Sequence, residues 1–117
     1  MRQGDIYWLD DCRPLHGELA KRRPVIVVSP TPDIPTRPDV VVVACTSSSL
    51  PSDVTAIELP STERTPQTKT RLHRRTWAIP EWQVLVERSL LQDYIGHLSG
   101  ATLRKLMEAV SRIQRSQ

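Results

Sequence analysis

Lys21-Arg22-Arg23-Pro24-Val25-Ile26-Val27-Val28-Ser29 sets three cations and a proline directly before four consecutive β-branched residues. The residue before a proline is driven from helical into extended geometry, and proline itself is accommodated at the first residue of a strand. The apolar run that follows lacks polar alternation, so it reads as a strand covered on both faces. Arg23 is thereby planted at the mouth of that strand, outside the core, where its removal should spare the fold. A guanidinium on so rigid a base suits phosphate or carboxylate recognition, because its planar fork donates two parallel hydrogen bonds.

Upstream, Asp5 to Leu9 alternates, with Ile6 and Trp8 facing one way and Tyr7 and Leu9 the other, as in a strand with one buried face. Residues 10–22 read as a polar loop. Downstream, Pro30, Pro32, Pro35 and Pro38 exclude helix and ladder alike, and a third strand spans about 39–45, ending on Thr46-Ser47-Ser48. Thr55 to Leu59 suits a fourth strand, followed by a loop through Pro60 and Pro66. A fifth is expected over Arg71 to Ile79, with Trp82 to Val86 resuming the sheet after a break at Pro80. From Ser99, a fair N-cap, the apolar residues Leu103, Leu106, Met107, Val110 and Ile113 fall on one face of a helix. Several short strands and one terminal helix suggest a small twisted barrel with the helix packed on it.

The chain has 117 residues, a net charge of +3 and a sequence pI near 9.2. That length fits one domain, residues 1–117, with a core that needs neither disulfide nor metal. The charge is unevenly placed. Residues 1–20 are net acidic, whereas cations gather at 21–23 and at 64–75, where Arg64, Lys69, Arg71, Arg74 and Arg75 stand with His73 and no acid. With Trp77 and Trp82 nearby, that second cluster has the composition of a single-strand nucleic-acid surface, although both rings fit a core equally well. Cys12 and His16 are spaced like half of a metal site, but no second pair completes one, so no metal or other cofactor is expected. Two separated cysteines without a leader segment point to a reduced, cytoplasmic protein, and no apolar run is long enough for a membrane span.

The order Arg2-Gln3-Gly4-Asp5-Ile6-Tyr7-Trp8, then Gly17-Glu18, then Arg22-Arg23-Pro24 with its strand, then a second strand closing on Thr46-Ser47, resembles the MazF/PemK/Kid family of type II toxins. A weaker echo continues through Val86-Glu87-Arg88-Ser89-Leu90 and Ile95-Gly96-His97-Leu98-Ser99. The resemblance implies a mainly β fold, the small SH3-like barrel shared with CcdB toxins, with a C-terminal helix and usually as a homodimer. It also implies a metal-independent endoribonuclease acting on single-stranded RNA, with RNA and a cognate antitoxin as partners. Arg23 and Thr46 fall on the family's catalytic arginine and threonine, and Glu81 falls near a carboxylate that some members use. Lys21, Arg22, Ser47, Arg71, His73, Arg74 and Arg75 would bind RNA, and His16 or His73 could serve as a loop acid or base. Two positions depart from the pattern: Ile79 and Val84 stand where relatives carry arginine. A non-catalytic RNA-binding protein is therefore the rival reading. A CcdB-like gyrase inhibitor is disfavoured, because the chain ends Arg112-Ile113-Gln114-Arg115-Ser116-Gln117 and not in Trp-Gly-Ile.

Overall fold

The computed structural model describes residues 1–14, 18–48, 50–63, 68, 70–98 and 100–115. His16, Arg64, Lys69 and the N-cap Ser99 lie outside them. Six strands, β1 (Asp5–Cys12), β2 (Lys21–Val27), β3 (Asp39–Thr46), β4 (Ile57–Glu58), β5 (Trp77–Glu87) and β6 (Gln92–His97), are followed by helix α1 (Gly100–Arg115). They form one antiparallel sheet in the order β4-β5-β3-β2-β1-β6, curled into a half-barrel.

The reading of β2 as covered on both faces holds. One core, containing Ile6, Ile26, Val43, Cys45 and Ala78, is closed by Leu106, Ala109 and Val110 of α1. The other, on the opposite side of the sheet, joins Leu9, Val25, Val27, Val42, Ala44, Ile79 and Trp82. Successive residues of a strand point to opposite faces, which is why an unbroken Val/Ile run feeds both cores at once.

Several boundaries differ from those expected. β1 continues to Cys12, past a bulge where Asp11 takes φ 51°, an extra residue that re-aims the strand without ending it. Its alternation buries both faces in part, because β1 is an interior strand of the curled sheet. The proline cluster holds a 3-10 helix, Thr31–Thr36, with proline in its first turn, where the missing N–H would have no partner in any case. Residues 71–76 form no strand. β5 instead runs unbroken from Trp77 through Pro80, which falls in a register shift opposite Val43 to Cys45, where no ladder bond needs its nitrogen.

β6 was not expected at all. It is an edge strand paired only to β1, and the exchange of Gly4 with its neighbours fixes its position. Gly4 N–H donates to Val27 O, and Leu98 N–H donates to Gly4 O. At φ 98°, a Cβ on Gly4 would lie 2.7 Å from Leu98 O and 2.8 Å from the His97 ring, so only glycine fits there. The buried Asp5 carboxylate accepts from Arg2 N–H and meets His97 Nδ1 at 2.9 Å. The opening Gly-Asp motif thus ties the first strand to the last and takes no part in the cavity described next.

Candidate RNA-binding and catalytic site

β2 lies against β3 with Val25 opposite Ala44. Carried two residues further, that register sets Arg23 beside Thr46 at the end of the sheet. The segment 70–76 folds back over this end, anchored by Thr62 N–H to Leu72 O, Arg71 N–H to Ile95 O and Leu59 N–H to Thr76 O. Between them lies a cavity of about 330 Å³ lined by Lys21, Arg22, Arg23, Thr46, Ser47, Arg71, His73 and Arg74, with Trp8 and Cys45 among its apolar walls. Two stretches of basic sequence some fifty residues apart therefore face one space, and among the described residues no carboxylate lines it. A second cavity, of about 310 Å³, includes Glu18, Leu19, Ser48, Pro51 and Trp82 in its walls. Lys21, Arg23 and Thr46 line both and form the partition between them.

Arg23 is buried, with 4 % of its surface exposed. That overturns the expectation of a side chain outside the core. Its guanidinium carbon lies 5.0 Å from the Trp82 ring centroid, Nη2 makes a long 3.4 Å bond to Leu19 O, and Nε has no acceptor among the described residues. Among the described residues it forms no ion pair. A desolvated cation without a counter-ion is costly and attracts any anion that can reach it. Thr46 Oγ1 accepts Ser48 N–H at 3.2 Å and shares a hydrogen bond with Ser48 Oγ, also at 3.2 Å, which holds the hydroxyl at the partition.

The remaining cations are not equivalent. Arg22 is stacked on Trp8 and bonded to Asp10 at 2.8 Å and Asp93 at 2.6 Å, and these carboxylates hold its pKa above the ordinary arginine value. Arg75 lies outside the cavity, doubly bonded to Glu58 and stacked on Trp77. Of the two tryptophans proposed as stacking surfaces, Trp82 belongs to the core, 2 % exposed, and Trp77 lies under Arg75. His73 lines the cavity, with Nδ1 3.3 Å from Thr62 Oγ1. Glu81 is not brought there: both of its carboxylate oxygens accept Thr55 N–H at 3.1 Å, clamping the approach to β4. Sequence reasoning assigned no such clamp, and a carboxylate's preference for an unpaired backbone N–H in a turn was the available signal. It also missed Asp10 and Asp93 as neutralisers of Arg22, since Asp93 lies on the unexpected β6.

Burial raises the thiol pKa of both cysteines, with Arg23 acting in the opposite direction on each. Cys45 is the more strongly affected. Among the described residues, no group of three or more His, Cys, Asp or Glu side chains could hold a metal ion, and no helix is long and apolar enough to cross a membrane.

Residues 2–113 match the family of PemK-like, MazF-like toxins of type II toxin-antitoxin systems. The chain belongs to this family. Solved structures agree in fold. MazF from Deinococcus radiodurans superposes with a TM-score of 0.74 at 16% identity, covering 98% of this chain and 96% of that one. The Mycobacterium tuberculosis toxin MazF-mt6 gives 0.69 at 17% identity, covering 95% and 96%. An endoribonuclease in complex with its cognate antitoxin, from a mycobacterial species, gives 0.69 at 19% identity, covering 98% and 93%. No curated protein matches the chain by sequence. For this MazF/PemK-type chain, such low identities establish the barrel-like fold and leave the chemistry to be argued from its own residues.

Proposed function

We propose that this single-domain MazF/PemK-type toxin is a metal-independent endoribonuclease that cleaves single-stranded RNA at selected sequences. The observation that carries the reading is Arg23: a buried guanidinium with no carboxylate partner among the described residues, beside the Thr46 hydroxyl, on the wall of a basic cavity. The ribose 2′-oxygen attacks the adjacent phosphorus and the bond to O5′ breaks, leaving a 2′,3′-cyclic phosphate and a 5′-hydroxyl end. Charge grows on the non-bridging oxygens as the phosphorane forms. Arg23 neutralises it and Thr46 donates to one oxygen, both preorganised where water is largely excluded. His73 is the described cavity side chain with a ring nitrogen that can accept a proton. With Nδ1 engaged by Thr62, Nε2 takes the 2′-proton, and the leaving oxygen is protonated by solvent. Lys21, Arg71 and Arg74 draw in the flanking phosphates, and Ser47 adds a hydroxyl.

The partner of the same surface is a cognate antitoxin whose acidic segment occupies the cavity and excludes RNA. The working unit is a homodimer, for which Leu85, Leu90 and Tyr94 offer exposed apolar side chains. The deciding experiment is cleavage of a single-stranded RNA with EDTA present. Products should carry 5′-hydroxyl ends, and a 2′-deoxy substitution at the cut should block the reaction by removing the nucleophile. Loss of activity with chelator, or 5′-phosphate products, would sink this mechanism. The rival reading, RNA binding without cleavage, is favoured if every RNA binds and none is cut.

A further inference from the structure

Each of the chain's three tryptophans carries an arginine on its ring, with guanidinium-to-centroid distances of 5.0 to 5.1 Å. Two of the stacks are also fastened edge-on by carboxylates: Arg22 by Asp10 and Asp93, Arg75 by Glu58. Those carboxylates fix the cation, but they occupy its N–H groups and cancel its charge. The Arg23 stack is built otherwise. Among the described residues its polar contact is one 3.4 Å bond to a carbonyl, and its buried Nε has no acceptor. A guanidinium is oriented by its polar partners or by the surface packed against it, and here the Trp82 ring, 5.0 Å away, is the substantial contact.

We propose that Trp82 is a positioning residue: its indole face holds the plane of Arg23 and leaves the guanidinium N–H edge uncommitted for the phosphate at the partition. The proposal rests on the ribonuclease reading and adds how this chain keeps its central arginine both fixed and charged. Trp82 suits the task because β5 fixes its backbone and the core encloses its ring. Its own Nε1 is buried without an acceptor among the described residues, so the ring contributes a surface and not a hydrogen bond. It follows that the aromatic face matters and the indole N–H does not.

Cleavage of a single-stranded RNA is measured for Trp82→Phe and Trp82→Leu, each alone and combined with Arg23→Lys, well below the melting point of each variant. Trp82→Met replaces Trp82→Leu should the latter not fold. Leu106→Ala, a truncation in α1 at a residue that lines neither cavity, serves as the control for destabilisation. Trp82→Leu should lower kcat about 30-fold with KM changed less than about threefold, which converts to about 2 kcal/mol, the upper range for a desolvated cation on a ring. Trp82→Phe should stay within about threefold of the parent, and Leu106→Ala should keep its kcat. In the Arg23→Lys background the Leu substitution should add less than about threefold, because the planar group that the ring orients is already gone. Equal losses for Phe and Leu, or full additivity with Arg23→Lys, would overturn the proposal. If the parent cuts no RNA, the ribonuclease reading fails. The same variants are then compared by affinity for a 2′-deoxy-substituted oligonucleotide, where additivity again refutes Trp82 and coupling upholds it.

Discussion

Replacing Arg23 with methionine should make the protein more stable and nearly inactive. Methionine fills most of the buried volume and removes only the charge and its donors, whereas Arg23→Ala would leave a hole against Trp82. Two contacts favour the native arginine: the stack on Trp82, worth about 0.5–2 kcal/mol, and the carbonyl bond at 3.4 Å, long enough to contribute little. Against them stand the unpaired Nε, costing about 1–3 kcal/mol, and a desolvated charge without a counter-ion, costing several kcal/mol. The balance favours the variant by at least about 2 kcal/mol, or roughly 8 °C in Tm for a chain of this length. Its cleavage rate should fall about 100- to 1,000-fold, the usual consequence of losing one preorganised donor to a developing oxyanion. Thermal denaturation is followed by circular dichroism with and without added sulfate, alongside RNA cleavage. Sulfate should raise the Tm of the parent more than that of the variant, since only the parent offers the unpaired cation a ligand. A variant that melts below the parent, or one that keeps more than about a tenth of the activity, would show that Arg23 is a structural residue and that its charge is satisfied within the fold.

Thr46→Val keeps the β-branched shape and deletes the hydroxyl; cleavage should drop at least about tenfold with RNA affinity nearly unchanged, and Thr46→Ser should restore most of the rate. Equal loss of binding and cleavage would make Thr46 a packing residue. Asp93→Asn should tighten RNA binding by up to about fivefold at low salt and by nothing at high salt, because it releases Arg22 from one of two carboxylates. Asparagine tolerates the Asp93 φ of 49°, so unchanged affinity at low salt would remove Arg22 from the RNA surface. Lys21→Gln should shallow the salt dependence of RNA binding by about one phosphate contact, and a slope equal to the parent's would place Lys21 off the backbone path. Burial raises the Cys45 thiol from its ordinary 9.0, so above pH 9 the unfolded chain releases a proton that the native chain keeps. Stability should therefore hold up to about that pH and then fall by up to about 1.4 kcal/mol per pH unit. A Cys45→Ala variant with the same alkaline decline would exclude this thiol as the cause.

Strands β2 and β3 and the helix were legible from their own residue patterns. β2 and β3 are unbroken β-branched runs, and Leu106, Ala109 and Val110 recur on one face of α1. Arg23 and Thr46 were paired by the family resemblance alone, and the antiparallel register of β2 and β3 carries the start of one strand to the end of the next. β6 was illegible: Gln92, Asp93 and Tyr94 are exposed, and its place comes from backbone bonding to β1 around Gly4, which leaves no side-chain pattern. Pro80 misled because a proline halts a strand only where its N–H is wanted, and a register shift had removed that need. The charge of the basic stretches was visible, but its neutralisation was not. Glu58, Asp10 and Asp93 meet their arginines through the sheet, at distances along the chain that no local reading spans.

The cavity draws its walls from Trp8 and from residues 21–24, 45–47, 71–74 and 76, and the ring beneath Arg23 comes from β5. A chain emerging from the ribosome thus has Arg23 and Thr46 long before it has the far wall or Trp82. The cavity depends on contacts distant in sequence, so it forms late, with the closing of the sheet. A chain lacking β5 has no ring beneath Arg23, so the buried arginine gains that neighbour only once β5 has joined the sheet.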